Sequence, residues 1–232
     1  MSKVGFRIFD VVRADRALVE RFRGIPSSNI NDMMNRLYNT DGSLHSINEK
    51  ELLGTAFTVR APLGDNMMFH RALDLAQPGD VLVVDAGGCN ERSLCGEIMM
   101  TYAEKKGLAG IVVNGAIRDV DGIRKLNIPV YATGITPQGP FKNGPGEINV
   151  PVCCAGVVVM PGDILVGDAD GIVVIRKEDA ALVIEEALDK FAKEEKKLEK
   201  YHTTGIDEDK HTESWTKKVE QAGAAYIHEA RW

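Results

Sequence analysis

No stretch of the 232 residues approaches the ~18–20 consecutive apolar residues of a membrane span. No membrane partner is therefore expected. The opening segment, MSKVGFRIFDVVRADRALVERF, alternates charged and apolar residues and lacks the apolar core of a secretory signal. A cytoplasmic location is the expectation. Cysteine is scarce: Cys89, Cys95, Cys153 and Cys154 show no C-x-x-C spacing. They read as buried or partly buried free thiols of a reducing cytosol rather than as a zinc site. Positive charge is also short, with 28 Lys and Arg against 34 Asp and Glu and a net charge of -6. That balance argues against nucleic acid, whose phosphates need clustered cations. It leaves room for a small anion, because one Arg in a cleft holds a carboxylate whatever the net charge. G-x-x-x-x-G-K-[ST], H-E-x-x-H and G-x-S-x-G do not occur, and no G-x-G-x-x-G stands in the right setting. Nucleotide-loop, zinc-protease and serine-nucleophile chemistry thus have no support.

What is present is an ordinary globular composition, 44% hydrophobic and 27% charged, enough for one large domain or a domain with a tail. Apolar spacing predicts helices over residues 10–23 and from about Ser28 to Tyr38. A strand follows at Gly54–Arg60, then a helix at Met67–Ala76. Val81-Leu82-Val83-Val84 is a continuous apolar run, as in a strand buried on both faces. Glu97–Lys106 reads as a helix with Gly107 as its cap. Ala109–Asn114 is a second buried strand, Val120–Leu126 a short helix and Pro129–Ala132 a strand. Residues 147–175 are strand-rich; 177–200 form a charged helix and 212–223 a last one. Pro78-Gly79-Asp80 and the following strand are echoed at Pro161-Gly162-Asp163. Two copies at that distance are too few for a solenoid and read as two strand units of one layered sheet. The alternation of strands and helices indicates an α/β fold. Residues 1–176 are expected to form the domain, and 177–232 a helical extension packing on it or on a neighbouring subunit.

Three places carry candidate chemistry. Gly110–Asn114 runs as a strand into Gly115 and then presents Arg118 beside Asp119. Ligands bind at strand ends in α/β proteins. Arg offers a planar fork for a carboxylate and Asp an oxygen ligand for a hard cation. The plainer local reading is a solvated ion pair capping the next helix. Gly96-Glu97-Ile98-Met99 opens a helix, where free N–H groups meet an anion; a simple capping carboxylate is the plainer reading of Glu97. Gly64-Asp65-Asn66, with His70 a turn later, offers an amide and an imidazole for ligand contact or proton transfer; turn residues and an ordinary helix histidine are the alternative.

Taken together, the segments resemble the RraA-like family. They include Ile30-Asn31-Asp32-Met33-Met34, Gly54-Thr55-Ala56-Phe57-Thr58-Val59, Gly64-Asp65-Asn66, Pro78-Gly79-Asp80-Val81-Leu82-Val83-Val84-Asp85, Gly115-Ala116-Ile117-Arg118-Asp119 and Pro161-Gly162-Asp163. The family contains class II 4-hydroxy-4-methyl-2-oxoglutarate / 4-carboxy-4-hydroxy-2-oxoadipate aldolases and non-enzymatic regulators of ribonuclease E activity. An acidic residue, twenty residues, then Arg-Asp separates the aldolases from the regulators. Here Glu97 and Arg118-Asp119 complete that pattern, with Glu where the best-known aldolases carry Asp; Asn114 stands where many members have Asp.

The resemblance implies a layered β/β/α swivelling-type domain with a C-terminal helical arm. It implies a homotrimer or homohexamer with sites between subunits. It implies a metal-dependent lyase that cleaves a 4-hydroxy-2-keto acid to pyruvate and a second keto acid, with oxaloacetate decarboxylation as a side activity. A different metal-dependent reaction on a related hydroxy or keto acid is the other enzymatic reading. By the same resemblance Asp119 would hold Mg²⁺ or Mn²⁺ and Arg118 the pyruvyl carboxylate or keto oxygen. Backbone N–H groups of Gly96, Glu97, Ile98 and Met99 would grip the carboxylate, and Asn66 would line the site. Glu97 would orient a metal-bound water or move a proton, and Glu194 or Glu195 would reach a neighbouring subunit's site.

Overall fold

The structure is a computed structural model and describes residues 4–224; residues 1–3 and the last eight of the expected C-terminal extension lie outside the described residues. Contacts divide the chain into two compact units, Met1–Phe191 and Ala192–Trp232.

The first unit is built on four parallel strands: β3 (Leu52–Arg60), β4 (Asp80–Ser93), β5 (Gly110–Ile117) and β6 (Val130–Ile135). Two short edge strands flank them. β1 (Phe6–Ile8) pairs with β7 (Gly146–Ile148), which pairs with β3, and β2 (His45–Ser46) pairs with β6. β10 (Ile164–Asp168) and β11 (Gly171–Ile175) form a hairpin that joins the sheet through β3. β8 (Val152–Cys154) and β9 (Val157–Val159) make a separate two-stranded layer.

The unbroken apolar run in β4 has a direct cause. Leu82 and Val84 face a core shared with helices α3 (Met67–Leu75), α4 (Glu97–Lys106) and α5 (Val120–Ile123). Val81 and Val83 face the opposite core, with Val152, Val157 and Val159 of the β layer. Successive strand residues point to opposite faces, so both must be apolar when both are covered. The layered α/β fold expected from the sequence is the one observed. A third core packs α1 (Arg16–Glu20) and α2 (Ser27–Met33) with the β10–β11 hairpin and Val183, Ile184 and Ala187 of α6 (Ala180–Thr204). Helix α7 (Glu208–Gln221) follows in the second unit.

The internal echo is structural. At each Pro-Gly-Asp the glycine has φ +91°, and the buried Asp accepts the N–H three residues back, Gln77 to Asp80 and Met160 to Asp163, both at 2.8 Å. The two turns deliver β4 and β10 to the same partner, β3, at Thr55.

Several expected boundaries differ. The helix expected over 10–23 is confined to Arg16–Glu20, because Asp15 caps it through the Leu18 N–H at 3.0 Å. The residues before it form a strap instead: Phe9 bonds Ile148 O, and Arg13 forks onto Asp80 at 2.7 Å. Helix α2 ends at Met33, since Asn35 and Arg36 take positive φ. Helix α5 is one turn, with 124–126 continuing as turns. Strand β4 runs past Asp85 to Ser93, where positive φ at Gly87 and Gly88 accompanies register shifts against β5. Among the cysteines, all free, Cys95 and Cys154 are buried and Cys89 half-buried, but Cys153 is exposed, because alternation along β8 turns neighbours to opposite faces.

Candidate active site

The site lies where β4 and β5 end, outside the carboxyl edge of the parallel strands. The spacing from Glu97 to Arg118 is the length of one crossover. Nine further residues of α4, three in the turn at 107–109 and eight of β5 fill the twenty positions. Gly107 closes α4 in the left-handed region at φ +80°, where glycine meets no Cβ penalty. Two backbone bonds then lock the ends together: Leu94 N–H to Ala116 O at 2.8 Å and Arg118 N–H to Cys95 O at 3.0 Å. The start of α4 and the Arg118-Asp119 pair are thus neighbours by construction.

Asp119 itself sits at φ +59°, ψ +37° and caps α5, its carbonyl accepting the N–H groups of Gly122 and Ile123 at 3.1 Å. A non-glycine residue there costs about 1 kcal/mol of strain, least for Asp and Asn. The turn aims the carboxylate at the N-terminus of α4. Its Oδ2 accepts the Glu97 N–H at 3.3 Å and lies 3.6 Å from Arg118 Nε. The first N–H groups of a helix have no partner inside it, so an anion is favoured there. Gly96 permits the approach: a Cβ on it would stand 2.1 Å from Asp119 Oδ2. Both side chains of the pair are 46% exposed, so neither is sealed in an internal ion pair.

A cleft of about 210 Å³ brings together Asn66, Gly96, Ile98, Met99, Arg118 and Asp119, with His70 and Lys142 at its wall. Arg118 and Asp119 also line a second, more open hollow beside Asp121 and Arg124, so the pair forms the ridge between the two. Asn66 is buried; its Nδ2 donates to Leu94 O at 2.7 Å and its Oδ1 is buried without a hydrogen-bond partner. Partial burial first, and the Lys142 charge second, lower the His70 pKa below its ordinary value, which favours the neutral imidazole. Burial, then the Asp119 charge, raise the Cys95 thiol well above its usual range, which removes it as a nucleophile.

Of the residues singled out in the sequence, Glu97 is placed differently from the rest. Its backbone N–H reaches Asp119, but its exposed carboxylate rests on Gly122 of α5. Glu194 and Glu195 lie on the exposed part of α6, in the second unit.

Sequence reasoning missed the loop over the cleft. Residues 138–144 are held by Asp65, whose buried carboxylate accepts N–H groups from Asn143 at 2.6 Å, Gly144 at 3.0 Å and Met67 at 2.9 Å. Arg92 stacks 4.0 Å over the Phe141 ring and donates to Gly139 O, which completes the clasp. Asp65→Ala is expected to cost about 2 kcal/mol, since three part-buried N–H groups lose a charged acceptor. Urea denaturation measures that cost; a loss below about 1 kcal/mol would show that the loop is held by other contacts.

Fold and site together define a layered α/β protein with an anion-suited cleft at the carboxyl edge of its parallel strands. A family model described as RraA-like, Aldolase/RraA, matches residues 27–174, and the chain belongs to that family. A Halalkalibacterium halodurans protein named "Putative 4-hydroxy-4-methyl-2-oxoglutarate aldolase" is 40% identical over 184 residues, 79% of this chain and 88% of the relative. A Thermus thermophilus protein named 4-hydroxy-4-methyl-2-oxoglutarate aldolase is 39% identical over 111 residues, 48% of this chain and 68% of that one. Among solved structures, Streptomyces coelicolor RraAS2, titled an unusual member of the RNase ES inhibitor RraA family, superposes with a TM-score of 0.72. It is 30% identical and covers 80% of this chain and 98% of its own. Among the described residues no helix is long and apolar enough to cross a membrane.

Proposed function

We propose that the chain is a divalent-metal-dependent lyase that cleaves a 4-hydroxy-2-keto acid to pyruvate and a second keto acid. The observation that carries this reading is the meeting of Asp119, Arg118 and the α4 N-terminus in one cleft, with Glu97 at the head of the helix.

The donor set suits Mg²⁺ or Mn²⁺. Among the described residues no cluster of three or more His, Cys, Asp or Glu side chains gathers as a structural zinc site requires. A single half-exposed carboxylate fits a hard cation that keeps several waters and takes its remaining oxygens from substrate. Asp119 would hold the ion, which supplies Lewis-acid stabilisation of negative charge on the keto oxygen.

The protein's own groups divide the remaining work. The Glu97 N–H serves Asp119 and the Met99 N–H bonds Gly96 O, so the N–H groups of Gly96 and Ile98 are the ones assigned to the substrate carboxylate at the positive end of α4. Arg118 donates toward the keto oxygen, where charge grows as the C3–C4 bond breaks. A base takes the 4-hydroxyl proton; Glu97 is assigned that role, with His70 of the cleft wall as the other group suited to it. The bonding electrons pass to C3 and the resulting enolate is protonated there, giving pyruvate, while C4 leaves as a carbonyl. Oxaloacetate presents the same keto acid end, and loss of its carboxyl group as CO₂ leaves the same enolate. Subunit assembly is proposed as a trimer or hexamer, with Glu194 or Glu195 entering a neighbour's site.

The test is pyruvate release over a panel of 4-hydroxy-2-keto acids and oxaloacetate with Mg²⁺ or Mn²⁺ supplied. Turnover of at least one is expected. No release from any would overturn the lyase reading and leave the two others, protein binding by a regulator and a different metal-dependent reaction on a related hydroxy or keto acid.

A further inference from the structure

We infer that Gly122 is the positioning residue that allows a glutamate to serve at position 97, by leaving the Glu97 carboxylate a seat on helix α5. The inference rests on the lyase reading for its catalytic consequence. A Cβ on Gly122 would stand 2.1 Å from Glu97 Oε2, 2.2 Å from Cδ and 2.7 Å from Oε1. The three nearest atoms all belong to Glu97.

The backbone does not explain the glycine. Gly122 lies inside α5 with no positive φ, a setting in which alanine is the more stable residue. Its N–H bonds Asp119 O at 3.1 Å, a bond any residue but proline would make. What requires the missing Cβ is the neighbouring carboxylate. Glu97 is exposed, so no buried network fixes its side chain. Its place follows from two surfaces: the first turn of α4, tied to Asp119 through the Glu97 N–H, and the bare Cα of Gly122. An aspartate at 97 ends one methylene sooner and has less need of the seat. Gly122 and Glu97 are thus a matched pair, and Gly122 orients the carboxylate beside the Asp119 turn.

Because the clash falls on the far end of an exposed side chain, G122A moves the carboxylate without straining the fold. Four proteins test this: wild type, G122A, E97D and the double variant. G122A is expected to lower kcat about tenfold with KM within about twofold, at an unchanged or slightly higher Tm. In the E97D background the same change is expected to shift kcat by less than about twofold, the signature of a coupled pair. An equal loss in both backgrounds, or none in either, overturns the pairing. A crystal structure of G122A decides independently of turnover: a displaced Glu97 carboxylate supports the inference and an unmoved one overturns it. If wild type releases no pyruvate, the lyase reading fails by itself while the crystal structure still decides whether Gly122 seats Glu97.

Discussion

Asp119→Asn is expected to lower kcat/KM for pyruvate release by about a thousandfold, the scale set by losing stabilisation of a developing charge. Asparagine is the informative replacement. It tolerates the left-handed conformation at φ +59° nearly as well as aspartate, so the α5 cap and its two carbonyl bonds survive. Only the charge is lost. Asp119→Ala mixes that loss with backbone strain, so a fall in its Tm would not by itself report on the site. The expected pattern for Asp119→Asn is an unchanged Tm, near-complete loss of turnover and weakened Mn²⁺ binding by calorimetry. Turnover within about tenfold of wild type would place the metal ligand elsewhere.

Arg118→Ala is expected to lower kcat by about a hundredfold and to raise KM as well. The guanidinium is positioned both to hold substrate and to meet charge that grows only as the C3–C4 bond breaks. Arg118→Lys is expected to recover little, because an ammonium cannot reproduce the planar fork. Arg118 is half exposed and its nearest acidic atom is 3.6 Å away, so folding owes it little. Stability measured in parallel is expected to change by less than about 0.5 kcal/mol. A rise in KM alone, with kcat untouched, would reduce Arg118 to a substrate anchor.

The legible parts of this fold are those whose causes are local. Helix α4 shows itself because a glycine stands before it, Glu97 opens it and Gly107 closes it, and the structure places it at the expected residues. Strands β4 and β5 show themselves because two covered faces leave no position for a polar residue in Val81–Val84 or Ile111–Val113. The Glu97–Arg118 spacing is legible for the same reason, since it spans one helix, one turn and one strand. The strap at 9–15 is not. Its apolar residues have helical spacing, yet the contacts that set it, Arg13 with Asp80 and Phe9 with Ile148, reach across the chain. The loop at 138–144 carries Gly139, Pro140 and Gly144 but no local signal that ties it to the site. Only the buried Asp65, some eighty residues earlier, turns it into a wall of the cleft. Gly122 was invisible because its partner stands on another helix. Exposure of Cys153 beside buried Cys154 was decided by strand phase, which composition does not carry.

The site itself was half legible. Asn66, Gly96, Ile98, Met99, Arg118 and Asp119 converge on one cleft. The Glu97 carboxylate is not among the groups lining that cleft and rests against Gly122 of α5. Lys142 brings a positive charge to the cleft wall that no spacing announced.

The most direct measurement is pyruvate release over the panel of 4-hydroxy-2-keto acids, 4-hydroxy-4-methyl-2-oxoglutarate among them, followed first with Mg²⁺ supplied, then with a chelator added, then with the metal restored. Turnover that disappears with the chelator and returns with Mg²⁺ or Mn²⁺ is the expected result. Turnover indifferent to the chelator, or no pyruvate in any condition, would contradict metal-dependent cleavage.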